Sequence, residues 1–190
     1  ISSDEKEIVY TEGQRVDSRK PIRETLINNG YDMNNLKDVV EIEMYATKEW
    51  TIKDSLGEYY ETAKAQFPFV TYYATEPIVK VSDYNKIAKL YGTEEYSLND
   101  DEYIVLCDFD NMKDLRNNAL KMDNNSITIN GKEYHSKYNE CKSGFIAMST
   151  SHTNTGIILA PDSFHLKEEW KEQHFLAANY NAETEEEKEK

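Results

Sequence analysis

The stretch IVKVSDYNKIAKLYG, residues 78–92, reads as a strand delivered straight into a short helix. Ile78 and Lys80 fall on one side of an extended backbone, Val79 and Val81 on the other. Ser82 is placed to cap the helix by accepting a hydrogen bond from an otherwise unpaired backbone N–H. Tyr84, Ile87, Leu90 and Tyr91 form one apolar stripe, and Gly92 suits the left-handed residue that ends such a helix. No side chain in the unit has obvious chemistry to perform, so the stretch predicts architecture: strands and helices joined closely around one core.

The flanking sequence extends this pattern in both directions. Upstream, Pro21 favours a helix beginning in SRKPIRETLINNG, with Ile22 and Leu26 inward and Gly30 closing it. VVEIEMYA, 39–46, alternates strictly, with Val40, Ile42 and Met44 on one face and Glu41 and Glu43 on the other. TIKDSLGEYYETAKAQF predicts a helix interrupted at Gly57 and stopped before Pro68, and a further strand is expected at Ile8–Thr11. Downstream, Asn99–Asp100 turns into a buried strand from Glu102 to Phe109. Asp110 then caps a helix that buries Met112, Leu115 and Ala119.

In SITINGKEYHSKY, Asn130–Gly131 between alternating runs predicts a type I′ hairpin. FIAMST and GIILAP read as two strands, Pro161–Asp162 leads into a helix over SFHLKEEWKEQ, and HFLAANY reads as a last strand. The irregular alternation, with hairpins, predicts an α+β fold: a mixed or mostly antiparallel sheet with short helices. One domain is expected over 1–180, with 1–77 and 78–180 as candidate lobes. The tail 181–190 reads as an acidic linker or helix.

A chain of 190 residues removes roughly 70% of its extended surface from water on folding, enough to be stable without a disulfide or metal. Fourteen Tyr, six Phe and two Trp are too many for a disordered chain, despite a mean hydropathy of −0.80. The net charge of −14 argues against nucleic acid, whose binding needs Lys and Arg to displace counterions, and against anionic headgroups. Cationic partners gain encounter rate from such a surface. The opening ISSDEKEIVY is charged from its fourth residue and does not read as a signal peptide. The charge-free run from Ser143 to Pro161 has a centre, STSHTNTG, too polar for lipid.

Signals of chemistry are weak. His135, His152, His165 and His174 form no i, i+4 pair, and neither HExxH nor HxH is present. Asp108 and Asp110 open like a calcium loop, but Met112 stands where an oxygen ligand is needed and Lys113 where glycine is needed. There is no GxSxG, SxxK, P-loop or GxGxxG, and Ser149 and Ser151 near His152 do not make a triad. Asn124–Asn125–Ser126 matches a glycosylation acceptor. Cys107 and Cys141 have neither CxxC nor zinc spacing, and their pairing is open. The tyrosine pairs Tyr59–Tyr60 and Tyr72–Tyr73 offer contact area plus a hydroxyl for a ligand surface, or half-buried sheet positions. No catalytic, cofactor-binding or metal-ligating residue is predicted.

VSDYNKIAKLYG followed by SLNDDEYIVLCD resembles a segment in FtsX-like permeases of Gram-positive ABC transporters, those of the bacitracin-resistance type. SITINGKEYHSKY, IILAPDSF and LAANYNAETEEEKEK are similar to later parts of the same domain, so the resemblance covers residues 78–190. Before residue 78 it extends to general composition and VVEIEMY. It implies a large extracellular domain between transmembrane helices of a cell-membrane permease. It also implies a separate ATPase subunit that hydrolyses ATP, and in several systems a sensor histidine kinase. The domain itself would be a non-enzymatic sensor of cell-wall-targeting peptide antibiotics or their lipid-linked target. No ligand-binding residue carries over. The rival expectations are a free-standing secreted or surface-anchored binding or adhesion domain, and a glycan hydrolase using two carboxylates.

Overall fold

The computed structural model describes residues 21–30, 32–122, 125–146 and 156–180. The strand expected at Ile8–Thr11 and the tail 181–190 lie outside the described residues. Five helices are described: α1 (Ile22–Asn28), α2 (Ile52–Leu56), α3 (Tyr60–Gln66), α4 (Val81–Tyr91) and α5 (Asp110–Leu120). Seven strands accompany them: β1 (Leu36–Tyr45), β2 (Ile78–Lys80), β3 (Glu102–Leu106), β4 (Ser126–Ile129), β5 (Lys132–Ser136), β6 (Ile157–Ala160) and β7 (Lys171–Tyr180). They form one sheet in the order β4-β5-β3-β6-β2-β1-β7. Only β2–β6 and β3–β5 run parallel; β1–β2, β1–β7, β3–β6 and β4–β5 are antiparallel. The fold is α+β, as expected.

Alternation along the central strands builds two cores, one on each face of the sheet. Ile78, Tyr103, Val105, Ile158 and Ala160 face α2, α3 and α5. Val79, Ile104, Leu106, Ile157 and Leu159 face α4. The strand-to-helix unit at 78–92 is the hinge of this plan. β2 places Ile78 in one core and Val79 in the other, and α4 buries Tyr84, Ile87, Leu90 and Tyr91 against the second. Gly92 ends α4 with φ 67°, and Thr93 N–H donates to Ala88 O at 2.9 Å.

Several boundaries follow the sequence closely. In β1, Ile42 is buried with Val40 and Met44 packed on the same core, while a positive φ at Asp38 marks a bulge near its start. Gly57 (φ 53°) splits α2 from α3 through a single 3-10 turn. Thr51 and Asp54 form a reciprocal capping box at the start of α2. Asn130 and Gly131 both have positive φ, as a type I′ turn between β4 and β5 requires.

Five local expectations are corrected in whole or in part. Ser82 does not cap α4 with its side chain; it offers its own backbone N–H to Asp162 Oδ1, 3.2 Å away. Asp110 is the first residue of α5 rather than its cap, which is Phe109; its carboxylate still sits at the positive end of the helix. The strand expected to reach Phe109 stops at Leu106, where its ladder with β6 ends. The helix expected over SFHLKEEWKEQ does not form. Leu166 and Trp170 stand four apart, as a helix would place them, but Phe164, two residues before Leu166, falls off that stripe. Phe164 and Trp170 are drawn into the first core, and only a 3-10 turn at Glu168–Trp170 interrupts the extended chain. The backbone from Lys171 onward is claimed by β1 over its whole length. Phe145 and Ile146 of FIAMST are in no strand, and the rest of that segment is outside the described residues.

Candidate functional site

The residues singled out by sequence are scattered. His135 is exposed beside Asp101, His165 is exposed, and His152, Ser149, Ser151 and Asn124 lie outside the described residues. Asp108 accepts the Gly144 N–H at 3.3 Å, a structural use of that carboxylate. No group of three His, Cys, Asp or Glu side chains suited to a metal occurs among the described residues. His174 is buried on β7 opposite Glu43, with Nδ1 3.5 Å from Glu41 Oε1 and Nε2 3.8 Å from Glu43 Oε1. Burial alone would raise the pKa of Glu43, but hydrogen bonds from Tyr45 and Lys171 outweigh it and leave the carboxyl below its ordinary value. Glu41 also accepts the Ile22 N–H at the start of α1.

A buried polar centre that the sequence did not announce joins the α2 region to α5. Arg116 on α5 donates from Nη1 to Glu76 Oε2 at 2.6 Å and from Nη2 to Oε1 at 2.7 Å. Glu76 and Arg116 are 1% and 2% exposed. The Ser55 hydroxyl donates to Glu76 Oε2 at 2.8 Å and accepts from Trp50 Nε1 at 2.9 Å. Burial pulls the arginine pKa down, but the adjacent carboxylate more than compensates and the guanidinium stays charged. Gly156 packs against that guanidinium, where a Cβ would collide with it. This centre is sealed from solvent, and its chemistry is that of a keystone.

Among the described residues, the surface features open to a ligand include two that present aromatic side chains. One is a shallow polar hollow of about 640 Å³ beside the β4–β5 hairpin, lined by Asn125, Ser126, His135, Ser136, Lys137 and Tyr138. Its polar groups are partly engaged already: Asn125 Oδ1 accepts from Tyr103 at 2.9 Å, and Lys137 Nζ donates to Ser97 O at 2.6 Å.

The other is the loop FPFVTYY, 67–73, between α3 and the segment leading to β2. Pro68 stops the helix, and Tyr72 pins the loop by donating to both Ala63 O (2.9 Å) and Phe67 O (2.7 Å). Lys53 N–H donates to Tyr72 O at 2.8 Å, and Ile52 N–H to Ala74 O at 3.0 Å. On this fixed frame Phe69 is 99% exposed and Tyr73 71% exposed. The Lys53 ammonium lies 4.9 Å from the centre of the Tyr60 ring and 5.6 Å from that of Tyr73, and Lys64 lies 5.8 Å from Tyr60. The tyrosine pairs thus divide their labour. Tyr60 and Tyr72 are buried against one another at 5.4 Å, while Tyr73 faces outward. Phe69 was missed in the sequence, where its only signal was an aromatic flanked by Pro68 and a turn-forming stretch.

No protein-family model, no curated protein and no solved structure matches this chain.

Proposed function

We propose that the chain is a ligand-binding extracellular domain of an FtsX-like ABC transporter permease, recognising cell-wall-targeting peptide antibiotics or their lipid-bound form. The observation that carries the binding role is the loop at 67–73, a hydrogen-bonded frame presenting Phe69 almost wholly and Tyr73 for the most part to solvent beside Lys53. Rigid, exposed aromatic side chains are the usual anchors of interfaces, because they offer large apolar area and lose little freedom on binding. Amphipathic peptides match this loop with their apolar face, and the net charge of −14 favours their cationic face at longer range. The transporter context is supported by the sequence resemblance over residues 78–190. On this reading ATP is hydrolysed by a partner subunit, and a sensor kinase reads the ligand-bound state.

Titration calorimetry of the purified chain with bacitracin, alone and with its lipid pyrophosphate target, tests the binding role. Saturable binding is expected, weakened roughly tenfold or more by Phe69→Ser, the loss typical of an exposed anchor. No binding by the unaltered chain, or equal binding by Phe69→Ser, overturns the assignment. An immunoblot of fractionated source cells tests the context. A detergent-released membrane band far above 22.1 kDa is expected, whereas a band of this size in the medium favours the free-standing binding domain.

A further inference from the structure

Cys107 and Cys141 are far apart in sequence, and the fold brings them together. Cys107 follows β3, and the chain around Cys141 runs beside it. Lys142 N–H donates to Val105 O at 2.9 Å, and Cys107 N–H donates to Lys142 O at 3.1 Å, a one-residue parallel bridge between Leu106 and Lys142. Side chains alternate across extended backbone. Since Leu106 and Lys142 share one side of the bridge, Cys107 and Cys141 project together from the other, into the first core. Neither is in a disulfide; the thiols are 0% and 4% exposed and hydrogen-bond to each other. Asn117 Oδ1 accepts the Cys141 N–H at 2.7 Å and ties this end of the pair to α5.

The hydrogen bond is polarised. Cys107 is pulled below its ordinary pKa, chiefly because the Cys141 thiol donates to it, with the Arg116 guanidinium adding to the effect. Cys141 is pushed up by the same contact and by burial.

We infer that Cys107 and Cys141 form a redox pair that closes to an intramolecular disulfide when the chain folds in the presence of a small-molecule disulfide. One of the two cysteines, as its thiolate, attacks one sulfur of oxidised glutathione, breaking its S–S bond, expelling one glutathione thiolate and leaving a mixed disulfide. The other cysteine gives up its proton and attacks the protein sulfur of that mixed disulfide, expelling the second glutathione thiolate. Two protein thiols are oxidised, one small disulfide is reduced, and the two protein protons end on the two released thiols. The exchange belongs to folding, before the sulfurs become inaccessible to a molecule of that size. Closure brings the sulfurs to about 2.05 Å and requires a local backbone shift, because the Leu106–Lys142 register sets Cys141 beside Val105, with Cys107 further along the same face.

The test is refolding of the full chain from denaturant in a glutathione redox buffer, with a dithiothreitol-refolded sample as reference. After alkylation under denaturing conditions, intact mass is expected to show loss of two hydrogens and no alkyl group. Peptide mapping should then find a peptide pair linked through Cys107 and Cys141. The crosslinked monomer should melt higher by roughly 5–15 °C. Two alkylated thiols, separate glutathione adducts on each cysteine, or crosslinked dimers in place of the monomer would overturn the proposal. Cys141→Ser and Cys107→Ser should each trap one glutathione on the remaining cysteine; no adduct on either would overturn the exchange step. These readouts are independent of ligand binding, so the pairing and the binding role stand or fall separately.

Discussion

At the scale of single residues, the pair Arg116–Glu76 carries the largest local consequence. A buried guanidinium and carboxylate gain little over two apolar side chains of the same volume, yet either one left alone is a desolvated charge with no counterpart. Replacing Arg116 by Met is expected to cost about 3–5 kcal/mol in urea unfolding, because Glu76 keeps only the Ser55 hydroxyl. The double replacement Arg116→Met with Glu76→Leu should recover much of that loss; a double variant as unstable as the single one would show that the pair matters for more than mutual neutralisation. This centre was illegible in the sequence. Glu76 precedes Pro77 in a loop and Arg116 lies on a polar-looking helix turn, and nothing in either neighbourhood separates them from other charged residues. Burial and partner choice are decided where α2 meets α5, which is a property of packing.

Among the elements, α4 shows how far local reading reaches. Its apolar stripe and its end at Gly92 follow from side-chain spacing and from the freedom of glycine at positive φ, both visible within fifteen residues. Its amino-terminal cap is supplied from eighty residues away, by Asp162 at the end of β6. Asp162→Ala is therefore expected to destabilise the fold by about 1 kcal/mol in chemical denaturation, and Ser82→Ala by much less. The reverse ranking would restore the local cap. The same limit explains the lost helix at SFHLKEEWKEQ. Its charged residues suit a helix, but the ten-residue edge of β1 offers a backbone ladder, and the first core offers burial for Phe164 and Trp170. Together these outweigh helix propensities that differ by a few tenths of a kcal/mol per residue.

For the whole molecule, the number of tyrosines buried in the two cores sets a stability limit at alkaline pH. Burial pushes Tyr91 up to about 12 and drives Tyr45, Tyr96 and Tyr103 higher still. An unfolded tyrosine ionises near pH 10. Below that pH the neutral phenols contribute fully to the fold. Above it the unfolded chain loses protons that the folded chain retains, so stability falls as pH rises through the folded values. Urea unfolding should show a midpoint that is level between about pH 8 and 9.5 and declines from about pH 10 upward. Phenolate absorbance should rise in step with unfolding; full ionisation at pH 10 of a still-folded chain would contradict the burial of these rings.

At this same scale the division between sequence and structure is clear. By itself, the sequence determined the class of fold, the alternation of the strand through 40–44, the passage from strand to helix within 78–92, the split helix at Gly57, the hairpin at Asn130–Gly131 and the end of α4 at Gly92. Each depends on periodicity or on a backbone angle that one residue type tolerates, and those are local properties. Only the tertiary structure decided which strands are neighbours, that Asp162 caps α4, that Glu76 meets Arg116, that Cys107 lies against Cys141 and that Phe69 stands exposed while Tyr72 is buried. Those outcomes depend on contacts between segments distant in sequence, where residues of identical type compete for the same partner and the packing of the whole sheet chooses among them.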